Sequence, residues 1–162
     1  MDGIKIKINQ KLILLSIVIC TYNREELLKK CLNSLIFQMN ENIEIIIVDN
    51  NSIDETYSIA SEFKKSNSNI RYVLEPINGL SNARNRGIKE SKSDWILYLD
   101  DDGVAFPNLV DRALYLVERG DFDCVGGMYY GYADGEKPKW FPTYFGTKDK
   151  YSDTLSVCPY TV

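Results

Sequence analysis

The 162-residue chain contains no histidine. That single absence excludes Ser-His-Asp and Cys-His nucleophilic mechanisms, histidine-ligated zinc and imidazole acid–base catalysis. Any chemistry must use carboxylates, oxygen-held metals, lysine, tyrosine or thiols. The chain has only four cysteines, Cys20, Cys31, Cys124 and Cys158, and none lies in a C-x-x-C pair. A zinc knuckle or thioredoxin-type motif is therefore not expected, and Cys20 and Cys31, set in apolar patterns, read as buried small hydrophobes. Excess positive charge is lacking as well. With 19 basic and 23 acidic residues the net charge is −4, so there is no bulk electrostatic reason to bind nucleic acid. Long apolar runs are missing: Leu12–Cys20 follows Lys5, Lys7 and Lys11 and mimics a leader, but it has no small-x-small cleavage site and falls far short of the roughly 20 residues of a membrane span.

What is present is an ordinary globular composition, 44% hydrophobic and 26% charged, in a length suited to one core. Apolar runs alternate with helical patterns. Strands are expected over 14–20, 43–48, 70–74, 95–99 and 123–130. Helices are expected over 24–38, from Ser52 to about Lys65, over 81–91 and after Pro107. Asn23 and Ser52 read as helix caps, each followed three residues later by a glutamate. Leu27, Ile53 and Tyr57 are assigned to inner helix faces. The strands are continuous apolar runs, as in a parallel sheet covered by helices on both faces. Strand–helix alternation with short links implies an open α/β sheet, whose ligands bind beyond the carboxyl ends of the strands. A domain over 1–131 is expected to be followed by an irregular, aromatic segment over 132–162.

The residues just after the strands then carry the functional weight. Strand one runs into Thr21-Tyr22-Asn23, strand two into Asp49-Asn50-Asn51-Ser52, and strand four into Asp100-Asp101-Asp102-Gly103. Three adjacent carboxylates repel one another unless a cation sits among them. A hard ion such as Mg²⁺ or Mn²⁺ binds through one or two carboxylates plus phosphate oxygens. In an extended chain Asp100 and Asp102 share one side, which makes them the expected metal pair. Ser81–Gly87 supplies positive charge for a diphosphate. Arg84 and Arg86 cannot both face one way on a helix, and Arg84 is expected at the site.

Four segments together resemble the family 2 glycosyltransferases: Ser-Ile-Val-Ile-Cys-Thr-Tyr-Asn-Arg, Glu-Ile-Ile-Ile-Val-Asp-Asn-Asn-Ser-Ile-Asp-Glu-Thr, Gly-Leu-Ser-Asn-Ala-Arg-Asn-Arg-Gly and Leu-Tyr-Leu-Asp-Asp-Asp. Their order and spacing match over about Leu15–Tyr130. The resemblance implies a GT-A fold, metal-dependent inverting transfer from a nucleotide-sugar donor, and a carbohydrate or lipid-linked acceptor, as in polysaccharide biosynthesis. It gives Tyr22, within Thr21-Tyr22-Asn23, the packing of the base. Asp49 reads the base N3–H, which favours a UDP-sugar. Arg84 lies near the diphosphate, Asp101 contacts the ribose, Asp102 ligates the metal, and Asp100 supports either role. The implied catalytic base has no matching motif before Val162. Asp134, Glu136, Asp149 and Asp153 read as solvated loop acids, so the chain is expected to be the donor-binding portion of a catalytic domain, or a non-catalytic binding fragment. A cytoplasmic location is expected, with peripheral membrane association left open.

Leu99-Asp100-Asp101-Asp102-Gly103-Val104 also fits the D-x-D-G-[TV] pattern of haloacid dehalogenase-like phosphatases. That motif belongs after a first strand, however, and here four strand–helix elements precede or contain it. A receiver domain needs its acid pair after strand one, and a dinucleotide-binding fold needs a glycine-rich turn there; this chain has Thr21-Tyr22-Asn23.

Overall fold

A computed structural model describes residues 12–127. Eight elements alternate along the chain: β1 (Leu15–Thr21), α1 (Glu25–Ile36), β2 (Ile43–Asp49), α2 (Thr56–Ser66), β3 (Ile70–Leu74), α3 (Leu80–Glu90), β4 (Ile96–Tyr98) and α4 (Leu109–Arg119). The four strands form one parallel sheet in the order β3-β2-β1-β4. The chain winds outward from β1 through β2 to β3, then crosses back to place β4 on β1's other edge. The carboxyl end of β1 is thus a switch point, where loops on either side diverge and leave a crevice. This is the open α/β sheet expected from the alternation. Among the described residues, no helix is long and apolar enough to cross a membrane.

The pleat sorts the apolar runs between two cores. Ile17, Ile19, Ile43, Ile45 and Ile47 face α1, α2 and α4, where Leu28, Cys31, Leu32, Leu35, Ala60 and Val110 complete a buried cluster. Val18, Ile46, Val48 and Val73 point to the opposite face and pack on Ala83 of α3. Both faces are dry, which explains why the strands read as continuous apolar runs rather than alternations. At the amino ends of the strands the α3 side turns polar. Glu44, 1% exposed, accepts hydrogen bonds from Ser16 Oγ at 2.8 Å, Lys92 N–H at 2.8 Å and Arg71 Nη1 at 3.2 Å. Arg71 reaches on to Glu90 at 2.7 Å, closing a satisfied network between β2, β3 and α3.

Several local expectations are corrected. Neither Asn23 nor Ser52 caps a helix. The chain enters α1 through Arg24 and α2 through Glu55, neither with a side-chain cap. Instead the two expected caps tie their loops together: Asn23 N–H donates to Ser52 Oγ at 2.9 Å, and Ile53 N–H donates to Asn23 Oδ1 at 2.8 Å. Asn23 adopts φ 51°, a left-handed conformation asparagine tolerates better than most residues. Asp54 Oδ2 meets the first amide of α1, that of Glu25, at 3.2 Å. Because α2 begins at Thr56, Ile53 lies in a loop and is 91% exposed, and Tyr57 is 63% exposed, its ring edge-on to Tyr72. Leu27 sits at the margin of α1's buried face and is exposed. Residues 121–127, which begin a second compact unit, form no strand, and the rest of the expected fifth strand lies outside the described residues. So do the expected boundary after 131 and the four loop acids from Asp134 to Asp153.

At Gly87 the helix α3 approaches the sheet too closely to leave room for a side chain. A Cβ there would stand 2.3 Å from Val18 Cγ1, and Val18 is fully buried. Gly87→Ala should therefore destabilise the protein by about 1–3 kcal/mol, the range for overpacking a closed core. Urea unfolding checks this; a midpoint equal to or above that of the unaltered protein would show that α3 can move off β1 without cost.

Candidate functional site

Parallel register brings the carboxyl ends of the strands together: Thr21 pairs with Asp49 and Val18 with Tyr98. The loops that leave them enclose an open cleft of about 500 Å³. One wall is Cys20, Thr21, Tyr22 and Arg24 from β1 and its exit. Another is Asn78, Gly79, Leu80, Ala83 and Arg84 from the start of α3, and Asp100, Asp101 and Asp102 follow β4.

The expected site residues divide. Thr21, Tyr22, Arg84 and all three aspartates line the cleft; Asn23 and Asp49 do not. The Asn23 side chain is engaged by Ile53, as described. Asp49 is 2% exposed, and its carboxylate accepts hydrogen bonds from Ser52 N–H at 2.9 Å and Tyr72 O–H at 2.7 Å. Burial and that hydrogen bond to Asp49 both push the Tyr72 phenol up, which keeps it a donor. Thr21 is the opposite case: its hydroxyl oxygen is buried without a partner among the described residues, while the residue lines the cleft. Tyr22 is 49% exposed and offers its ring to solvent.

Of the two arginines on α3, Arg84 faces the cleft and Arg86 turns to Glu90 at 3.0 Å. Arg84 is held in place from two sides. Its guanidinium lies 5.7 Å from the centre of the Tyr98 ring and 3.6 Å from Asp100 Oδ1. The Tyr98 hydroxyl also donates to the Arg84 carbonyl at 3.0 Å. The ring and the carboxylate bias the guanidinium toward the cleft, though the ion pair is long and exposed.

The aspartates do not form the extended pair anticipated. Strand β4 ends at Tyr98, and Gly103 N–H donates to the Asp100 carbonyl at 2.9 Å, so 100–103 is a turn in which strand alternation no longer applies. Asp101 is buried, whereas the side chains of Asp100 and Asp102 are 60% and 57% exposed. No group of three or more Cys, Asp or Glu side chains among the described residues is arranged to hold a metal unaided. Two exposed carboxylates in one cleft do fit a hard cation that completes its shell with phosphate oxygens and water.

Arg24 and Asn50 also line the cleft and were not assigned to it from the sequence; Cys20, read there as a buried small hydrophobe, is only partly buried and lines the cleft too. Arg24 Nη1 lies 3.1 Å from Asp101 Oδ1 and 3.5 Å from Asp102 Oδ2. The signal for it was its place at the end of the Thr-Tyr-Asn-Arg segment, directly after residues assigned to the site. Asn50 acts on a loop rather than on the cleft contents. Its amide donates to the carbonyls of Glu75 and Ile77, and its oxygen accepts from Gly79 N–H at 2.7 Å. Gly79, at φ 135°, can make that approach as a side-chain-bearing residue could not without strain. Nothing in composition or periodicity distinguishes Asn50 from a turn residue.

The glycosyl transferase family 2 model matches residues 16–160. Glycosyltransferase GlyG of Streptococcus pneumoniae serotype 4 is 31% identical over 129 residues, which is 79% of this chain and 43% of GlyG. Residues of the Staphylococcus aureus TarS 1-349 structure in complex with UDP superpose with a TM-score of 0.60 at 27% identity, covering 66% of this chain and 33% of that one. The mannosyltransferase PcManGT from Pyrobaculum calidifontis, in complex with GDP-Man and Mn²⁺, gives a TM-score of 0.58 at 20% identity over 69% of this chain and 33% of its own, a likeness of fold. The chain thus spans less than half the length of each of these relatives.

The cleft thiol allows a direct check of this electrostatic picture. Burial pushes the Cys20 thiol up to about 11, with Arg84 pulling it back and Asp100 and Asp101 adding to the rise. Buried Cys31, whose Sγ–H points at the Asp100 carbonyl, is pushed up to about 12 by burial, with Asp101, Asp102 and Asp100 adding to the rise. Since the thiolate is the reactive form, Cys20 should alkylate with iodoacetamide at pH 8 about a hundredfold more slowly than an unperturbed thiol, gaining roughly tenfold per pH unit. Peptide-resolved mass spectrometry measures this, and fast, pH-independent labelling would contradict it.

Proposed function

The chain belongs to glycosyl transferase family 2, and from that premise we propose that it is the donor-binding part of an enzyme that moves a sugar from a nucleoside diphosphate, a UDP-sugar by preference, to an acceptor hydroxyl with inversion. The observation that supports this most directly is the cleft at the β1 switch point. It sets an exposed tyrosine ring, an arginine and a carboxylate triplet around one space of suitable size for a nucleotide. The UDP complex of the similarly folded TarS is consistent with that choice of donor.

In this reading the Tyr22 ring packs on the base, and the buried Thr21 hydroxyl, without a partner among the described residues, bonds the nucleotide as it enters. Asp49 is assigned the base N3–H through the acceptor positions its two internal hydrogen bonds leave over, but it is buried and does not line the cleft, so this contact requires the base to reach past the cleft wall. Asp101, held by Arg24, contacts the ribose, and Arg84, braced by Tyr98, faces the diphosphate. Asp102 with Asp100 would hold Mn²⁺ or Mg²⁺, an ion that supplies charge neutralisation to a departing nucleoside diphosphate. The acceptor in this reading is a carbohydrate or a lipid-linked molecule.

Two substitutions test the assignment by calorimetry. Asp102→Asn should weaken UDP binding by on the order of 1–3 kcal/mol with Mn²⁺ present and far less without it, as loss of a charged ligand implies. Equal affinity at saturating Mn²⁺ would remove Asp102 from the metal. Asp49→Asn should narrow the preference for UDP over CDP, because cytosine has no N3–H to read. A variant that keeps the full preference would leave Asp49 as the anchor of the Ser52 turn and the Tyr72 hydroxyl, and nothing more.

A further inference from the structure

Arg24 has no role in the reading above beyond steadying Asp101, yet it also touches the residue proposed to hold the metal. Its two contacts differ in kind. The one to Asp101 is a hydrogen bond of 3.1 Å to a carboxylate that is 7% exposed. The one to Asp102 is longer, 3.5 Å, and reaches a carboxylate that is 57% exposed. A contact of the second kind is weak and easily exchanged with solvent or another ion. Arg24 can therefore stay anchored through Asp101 while giving up Asp102. Its guanidinium carries five N–H donors and is itself half exposed in the cleft, so donors remain for a further anion.

Charge balance points the same way. Three carboxylates in the cleft face two guanidinium groups, Arg24 on Asp101 and Asp102 and Arg84 on Asp100. A divalent cation approaching Asp102 meets two guanidinium groups and must displace Arg24 from that carboxylate. A diphosphate reverses that situation, because it offers Arg24 and Arg84 a new anionic partner.

We propose that Arg24 is a positioning residue whose guanidinium competes with a divalent cation for Asp102 and releases that carboxylate to a bound diphosphate, so that metal and diphosphate bind cooperatively. The proposal rests on the donor-site reading of the cleft. It requires the coupling to be reciprocal: UDP must tighten Mn²⁺ by the same factor as Mn²⁺ tightens UDP.

The test is Mn²⁺ titration followed by electron paramagnetic resonance of the free ion, with and without UDP, on the 162-residue protein and on Arg24→Gln and Arg24→Lys. Circular dichroism establishes that each variant is folded. Arg24→Gln should bind Mn²⁺ alone about two- to fivefold more tightly, the range spanned by an exposed ion pair, and the tightening that UDP brings should shrink by about the same factor, leaving only what direct phosphate ligation supplies. Arg24→Lys, which keeps the charge, should stay near the unaltered protein in both readings. If Arg24→Gln binds Mn²⁺ alone with unchanged or weaker affinity, Arg24 does not compete for Asp102 and the proposal is overturned. If the unaltered protein binds no Mn²⁺ even with UDP present, the donor-site reading itself falls, and the competition with it.

Discussion

Strand β1 is hydrogen-bonded along both edges by parallel strands, and the cleft exists because of that pairing. Parallel neighbours must end on the same side, so Thr21, Asp49 and the chain leaving Tyr98 arrive at one edge of the sheet. The strands hold that alignment because each buries apolar side chains on both faces, with Ile17 and Ile19 packed to one side and Val18 to the other. A slip of one residue would exchange the two sets and put Ser16 among the isoleucines. Gly87 adds the demand for close approach on the α3 side: with no Cβ it lets the helix settle against Val18, which carries Arg84, one turn earlier, to the cleft.

On that frame the site is organised by charge compensation. Asp101 is buried at the edge of the main core and is matched by Arg24; the more exposed Asp100 and Asp102 each face an arginine. The negative field of the triplet extends inward, where it adds to burial in holding the thiols of Cys20 and Cys31 protonated. A second, separate network at the amino ends of the strands, centred on Glu44 and Arg71, fastens β2 and β3 to α3. The polar chemistry of the domain therefore sits at the two ends of the sheet, one end satisfied internally and the other open to a cleft.

Much of this was legible in the amino-acid sequence. Continuous apolar runs gave away a sheet buried on both faces, and strand–helix alternation gave its parallel sense. The rule that open α/β sheets bind ligands beyond the strand ends pointed to Thr21, Tyr22 and the aspartate triplet, all of which line the cleft. Helical spacing put Arg84 and Arg86 on different sides of α3, and Arg84 is the one that lines the cleft. Each of these follows from a local period or from the order of elements, which one chain segment carries within itself.

What only the tertiary structure decided are relations between segments distant along the chain. Asn23 and Ser52 both look like helix caps, and each instead bonds the other's loop, because two loops that leave adjacent parallel strands lie side by side. Asp49 reads as a strand-end carboxylate, and only the structure shows that Ser52 N–H and Tyr72 O–H donate to it; Asn50 looked like a turn residue, yet it holds the loop at Gly79. Arg24 lies 77 positions from Asp101, and no periodicity links them. Hydrogen bonds and ion pairs of this sort depend on ångström-scale separations that parallel packing sets after the strands have paired. The pattern of apolar residues specifies that pairing but says nothing about which polar side chains then fall within reach of one another.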